Sequence, residues 1–341
     1  MAAKPKVWYW PVRSHTDLVF EPAVFARMLD EFDVTILSDN RTPSPDEVPG
    51  AIAPFDAVVT GWGTHPFTEA GLEAAANLKI IAHSAGSPKA VVTQALVDQY
   101  LVPRGMTMFS AAEAIAYNVA ESAVGMLIMT SRRWPDFIES IRETGVWRPE
   151  GVPITARYLQ GSTVGIVAAS KVGREVIRLL QPWDVTILVY DPYLSAEQAE
   201  ALGAEKVELN DLFARSDHVS VHAPTTGETA HMIGAEQLRL LRDGAALVNT
   251  SRGIVIDQNA LYQEARTGRI MVCLDVTDPE PIEQDNPLRT LRNVYFTPHV
   301  SGAGAYGYFK IGELTLRALE DFFAGRPVRG AVDLSRYDTL A

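Results

Sequence analysis

Three residues whose side chains can do acid–base chemistry on an oxyanion stand just beyond apolar runs late in the chain. They are Arg252 in VNTSRG, Glu280 in DVTDPEP and His299 in FTPHVSG. Histidine exchanges a proton near neutral pH, and a carboxylate beside an imidazole favours its protonated form and fixes its tautomer. Arginine offers a planar fork to a carboxylate or a carbonyl oxygen. Such a set can hold an organic acid and move one proton on it. Taken singly, each also fits an ordinary loop, since a histidine after proline, an arginine before glycine or a glutamate between prolines is commonly just solvated or satisfied. Their shared position at the ends of short apolar runs singles them out.

Side chains gather in this way where the strands of an open parallel sheet end together, because ligands bind at that edge. The rest of the sequence supplies such sheets. Short apolar runs alternate with helical patterns, as expected of parallel strands joined by helical crossovers. In the first third the runs 6–10, 34–37, 57–60 and 79–83 are interleaved with helical patterns at 24–31 and 69–77. A long, largely apolar helical pattern over 118–133 ends in basic residues that suit a helix C-terminus, and it is a candidate for crossing between domains. After a stretch rich in Trp, Pro and Gly at 147–161, a second series begins with strand 163–168, helix 172–180 and strand 185–190, a βαβ unit. Runs 218–222, 245–249, 271–275 and 294–296 continue it, and a last helical pattern covers 306–324. The predicted fold class is α/β, with two Rossmann-like domains of parallel sheets and an active-site cleft between them. The first domain is expected to be discontinuous, built from 1–117 and 304–341, and the second to span 118–303.

The segment TVGIVAASKVGR at 163–174 has the placement of a dinucleotide phosphate loop, following a strand and opening a helix. In G-x-G-x-x-G the first glycine makes a tight turn, the second lets backbone approach pyrophosphate, and the third lets helix pack on strand. Ala168, Ser170 and Gly173 occupy those positions here. The helix N-terminus still presents N–H groups and a positive dipole end to a phosphate, with Lys171 as an added point charge and Val172 in the first turn. An ordinary strand-to-helix turn would read similarly. Asp191 ends the next strand about twenty residues further on, where an acid binds ribose hydroxyls and repels a 2'-phosphate. NAD is therefore expected rather than NADP, the other reading of Asp191 being a turn cap before Pro192.

Composition narrows the remaining classes. The formal net charge of -12 is spread along the chain, so the surface should repel nucleic acid and anionic membranes. The single cysteine, Cys273, lies in the apolar run 270–274 and reads as a small core residue. No apolar stretch approaches a membrane span and no secretory segment opens the sequence, so a cytoplasmic location is expected.

Together these motifs resemble the D-isomer-specific 2-hydroxyacid dehydrogenases, a family that includes phosphoglycerate, D-lactate and formate dehydrogenases and glyoxylate reductases. The resemblance is strongest over 118–302, where VNTSRGIVID, LDVTDPEP and TPHVSG match the stretches bearing the family's catalytic Arg, acid and His. It implies a flavodoxin-like domain beside an NAD-binding one, and a homodimer. The implied reaction moves a hydride between NAD and C2 of a 2-hydroxy or 2-oxo acid. His299 would exchange the proton on the substrate oxygen, Glu280 would orient His299, and Arg252 would hold and polarise the acid better than a lysine. The resemblance further implies that Asp275 holds the nicotinamide carboxamide, and that Pro224, Thr225, Thr250 and Gly302 line the cofactor.

The family's substrate-carboxylate loop, of the kind GxGxD, reads Ser84-Ala85-Gly86-Ser87-Pro88 here, and Pro88 has no N–H. The amides of Ala85, Gly86 and Ser87 could still meet a carboxylate, helped by His83 or Lys89, or the acid could be left to Arg252. Aromatic residues crowd nearby loops: Trp8, Tyr9, Trp10, Trp62, Tyr306 and Tyr308. If Trp10 and Trp62 line the mouth rather than the core, an apolar or aromatic acid is favoured. Two other functional classes fit the altered phosphate loop, an NAD(H)-sensing interaction protein resembling corepressors and a scaffold that has lost cofactor binding.

Overall fold

Strands β1 (Lys6–Tyr9), β2 (Asp33–Ile36), β3 (Ala57–Thr60), β4 (Ile80–His83) and β5 (Thr107–Ser110) form one parallel sheet in the order β2-β1-β3-β4-β5. This computed structural model describes residues 3–154 and 158–339. The chain divides into two units, one comprising Met1–Ile115 and Ala303–Leu340 and the other Ala116–Gly302. The sheet of the first unit has the flavodoxin-like order. Its inner strands are buried on both faces, which accounts for their nearly unbroken apolar sequences.

One face of β1 seats Trp8 on Phe55 and Trp10 on Phe67, while Tyr9 on the other face meets Phe20 and Phe25. Trp10 is 1 % exposed. Of the two readings of Trp10, pocket mouth or core, the burial selects core: helices cover both faces of the sheet, so all three aromatics of the trio are core. The helix Ala305–Phe323 supplies Ile311, Leu316 and Leu319 to the same core as Val7, Tyr9 and Ile80. The side chain of Tyr306 lies outside the described residues.

In the second unit, β6 (Thr163–Val167), β7 (Thr186–Tyr190), β8 (Glu205–Lys206), β9 (His218–Val221), β10 (Ala246–Asn249), β11 (Met271–Leu274) and β12 (Val294–Phe296) order as β12-β11-β10-β9-β6-β7-β8. From β8 to β11 this is the dinucleotide-binding order, with β12 added at the far edge. Cys273 lies inside β11, where burial pushes its thiol up to about 12 and leaves it unreactive. The helix Trp134–Thr144 was not foreseen; it carries Pro135 in its first turn and ends at Gly145 in the left-handed region (φ 69°). No helix among the described residues is long and apolar enough to cross a membrane.

Candidate active site

Strands β10, β11 and β12 are neighbours, so the loops that follow them emerge side by side. The first carries Arg252. Asn249, buried at the end of β10, accepts from the Ser251 amide (3.0 Å) and hydroxyl (2.9 Å) and donates to the Arg252 carbonyl (3.0 Å). One amide side chain thus fixes the turn and leaves the Arg252 guanidinium exposed, with Nη1 on the Ser251 carbonyl (2.7 Å). The next residue, Gly253, lies against the second loop: a Cβ there would sit 2.0 Å from the Thr277 carbonyl carbon. Gly253→Ala is therefore expected to cost at least about 3 kcal/mol, because backbone cannot yield as a flexible side chain can. Thermal unfolding checks this, and a melting temperature equal to the parent's would refute the close approach.

The second loop carries Glu280. Its Oε1 accepts from the Thr277 amide (3.1 Å) and its Oε2 meets His299 Nδ1 at 2.8 Å. With Nδ1–H engaged by the carboxylate, Nε2 is the ring atom left to exchange a proton. The side chains of His299 and Glu280 are 52 % and 38 % exposed, so the pair contributes little to stability and acts mainly to orient the ring. His299 itself holds a left-handed backbone (φ 52°), its amide donating to the Asp275 carbonyl (2.9 Å). The Asp275 carboxylate, which the resemblance assigns to the nicotinamide carboxamide, accepts Thr297 Oγ1 and the amides of Val300 and Ser301.

At the phosphate loop, Ala168 adopts φ 73°, the conformation that the usual glycine takes without cost. A Cβ on Gly173 would lie 2.1 Å from the Ala168 carbonyl oxygen, so glycine is required there for helix to meet strand. Ser170 caps the helix Lys171–Leu180, its hydroxyl accepting from the Gly173 amide (3.3 Å). Lys171 is exposed and Val172 half-buried in the first turn. Asp191 accepts from the amides of Ala169 (2.9 Å) and Tyr193 (2.8 Å), tying the loop to the end of β7. Arg174, which sequence reasoning passed over, donates from Nε to the Ala169 carbonyl (2.9 Å) and adds positive charge beside the turn. A tight turn, a helix N-terminus and a carboxylate at the next strand's end are the parts a dinucleotide needs, and the residues fit it.

The other expected cofactor contacts sit on the same unit. Thr225 is exposed, and the Pro224 carbonyl accepts from Thr229 Oγ1 (2.5 Å). Thr250 Oγ1 lies 3.5 Å from Nδ1 of the buried His222. The Gly302 carbonyl accepts from Asn118 Nδ2 (2.8 Å).

In the first unit, the loop after β4 is pinned by side chains. Ser84 Oγ donates to the Thr60 carbonyl (2.7 Å), so it must accept from His15 Nε2–H (2.9 Å). Ser110 Oγ donates to the Gly86 carbonyl (2.5 Å). Among the described residues, no acceptor meets the amides of Ala85, Gly86 or Ser87. His83 does not assist an acid there: it is buried, with Nδ1 on Thr60 Oγ1 (2.9 Å), and burial together with His15 lowers its pKa to about 3. Lys89 Nζ donates to the Asp338 carbonyl (2.8 Å). Trp62, 40 % exposed, stands edge-on to His15 and to Tyr308.

Residues 124–301 match the family described as D-isomer specific 2-hydroxyacid dehydrogenase, NAD binding domain. A glyoxylate reductase of Korarchaeum cryptofilum is 33 % identical over 304 residues, covering 88 % of this chain and 89 % of that protein. A D-3-phosphoglycerate dehydrogenase of Archaeoglobus fulgidus is 32 % identical over 292 residues, 85 % of this chain but 54 % of the relative, so the chain spans little more than half its length. Among solved structures, the holo D-mandelate dehydrogenase of Rhodotorula graminis superposes with a TM-score of 0.79 at 23 % identity, covering 97 % of this chain and 98 % of that one, and shares its fold. The matched span holds the phosphate loop and all three late loops with Arg252, Glu280 and His299. The chain therefore belongs to the D-isomer specific 2-hydroxyacid dehydrogenases and carries their NAD-binding domain.

Proposed function

We propose that this protein is an NAD-dependent oxidoreductase of 2-hydroxy and 2-oxo acids. The observation that carries the reading is the Glu280–His299 pair, closed at 2.8 Å while the Thr277 amide holds the other carboxylate oxygen. NAD, when bound, supplies or accepts the hydride at C2. His299 Nε2 gives the proton to the carbonyl oxygen in reduction and takes it from the hydroxyl in oxidation. Glu280 keeps Nδ1 occupied and fixes the orientation of the ring. Arg252 is assigned the substrate's negative oxygens; in the first unit taken by itself, the unpaired amides of Ala85, Gly86 and Ser87 are suited to a carboxylate.

Trp62, Tyr308 and an uncharged His15 give that loop an apolar neighbourhood, which favours acids with an apolar or aromatic substituent. Burial lowers His15 to about 4, so its ring is neutral at pH 7. The expected result is faster NADH oxidation with phenylpyruvate than with glyoxylate or hydroxypyruvate; preference for the smallest acids would remove this substrate class. The wider reading is tested by titrating the protein with NADH under fluorescence and then adding the acids. Binding without turnover of any acid points to a nucleotide sensor, and no binding at millimolar NADH points to a scaffold. A homodimer belongs to the same proposal. Trp134, Ile138 and Ile141 lie exposed along one side of the helix Trp134–Thr144, and they support it. A monomeric mass in sedimentation would remove it.

A further inference from the structure

Pro298, His299 and Val300 are all exposed, so the loop that presents His299 has little packing to hold it. What it has is one residue beneath. Asp275, just past β11 and 2 % exposed, accepts Thr297 Oγ1 (2.5 Å) and the Val300 amide (2.9 Å) on Oδ1, and the Ser301 amide (3.0 Å) on Oδ2. Its backbone carbonyl accepts the His299 amide (2.9 Å). Four donors from four loop residues converge on a single aspartate. Further along, Ser122 Oγ donates to the Ser301 carbonyl (3.0 Å) and Asn118 to that of Gly302, so the far end of the loop is tied to the helix Ala112–Ser131.

We infer that Asp275 is a positioning residue that clamps the His299 loop, holding His299 in its left-handed backbone so that Nδ1 stays on Glu280. The inference rests on the proposed acid–base role of His299. It goes beyond the contact to the nicotinamide carboxamide that the resemblance implies, because three of the carboxylate's roughly four acceptor positions are taken by the loop. An asparagine at 275 would retain one acceptor oxygen and turn an NH2 toward a donor, stranding at least one of the loop's N–H groups. The ring would then lose its fixed distance to Glu280 without losing any group that acts on substrate.

The test compares Asp275→Asn and Thr297→Val with the parent, reading kcat and KM, NADH affinity by fluorescence, and hydrogen exchange at the Val300 and Ser301 amides. In Asp275→Asn, kcat should fall about a hundredfold, as misplacement of a reacting group by roughly 1 Å does. Exchange at the two amides should rise in both variants with the rest of the chain unchanged, and in Thr297→Val NADH affinity should stay within about twofold. Thr297→Val removes one donor and should lower kcat about tenfold in the same pattern. A tenfold loss of NADH affinity in Asp275→Asn, with Thr297→Val silent, would overturn the clamp in favour of a cofactor contact. If Asp275→Asn fails to fold, Thr297→Val decides, since unaltered kcat and loop exchange in that variant overturn the inference. Should the parent turn over no 2-oxo acid, the proposed function fails while the exchange measurement still judges the clamp.

Discussion

His299→Ala is expected to lower turnover of the best 2-oxo acid by about a thousandfold or more while NADH binds as before, because a positioned general acid contributes about a hundred- to ten-thousandfold. No neighbour can replace the ring. Both oxygens of Glu280 are engaged, Oε1 by the Thr277 amide and Oε2 by the ring itself. Arg252 serves an oxyanion through its fork of N–H donors, not by transferring a proton. The phosphate loop lies on other strands and keeps its own contacts, so NADH affinity is expected to be retained. Steady-state kinetics with a fluorescence titration of NADH checks both halves, and substantial residual reduction by the variant would sink the assignment.

The second large effect is on stability in mild acid. Burial lowers His15 to about 4 and His222 to about 3, and burial together with the neighbouring His15 lowers His83 to about 3. Protonating the first two also creates an N–H with no acceptor, since His15 Nδ1 and His222 Nε2 are buried without partners. In the unfolded chain each titrates at about 6.5. The unfolded state therefore binds protons first as pH drops. The stability is complete above about 6.5 and is lost as pH falls toward the folded values. Each histidine supplies a slope of up to about 1.4 kcal/mol per pH unit, so the three together reach roughly 4 kcal/mol per unit between pH 5.5 and 4, against a total of about 5–15. Two of the three belong to the first unit, which is expected to unfold at the higher pH. Urea midpoints at pH 7.5, 6 and 5 measure this, and a flat profile would contradict neutral burial of these rings.

The inner strands were legible in the sequence because a sheet covered on both faces needs unbroken apolar runs such as Val58-Val59 and Leu247-Val248. The edge strand β8 was not. Glu205 and Lys206 pair with β7 through backbone alone, and backbone pairing leaves no mark on residue type. The helix Trp134–Thr144 was legible and passed over: Trp134, Phe137, Ile138 and Ile141 recur at the helical period along one side, a stripe that reads the same in the sequence whether it is buried or exposed. For Trp8, Tyr9 and Trp10, alternation tells which residues share a face but not whether the second face is covered. The residues proposed for acid–base work were visible because that chemistry demands particular side chains. The parts that aim them were hidden: Asn249 and Asp275 work mostly on backbone amides and carbonyls, which every residue has.

For anyone redesigning the nucleotide site, Ala168 and Gly173 are unequal targets. The Ala168 carbonyl oxygen fills the space that a side chain at 173 would need, so a library that varies 173 would consist almost wholly of misfolded turns. Position 168 asks only for a positive φ, where alanine costs roughly 1–2 kcal/mol and glycine nothing. That strain is an unspent reserve. Directed evolution toward a tighter or altered nucleotide preference can draw on it at 168 to offset destabilising changes elsewhere in the loop, while 173 is held constant.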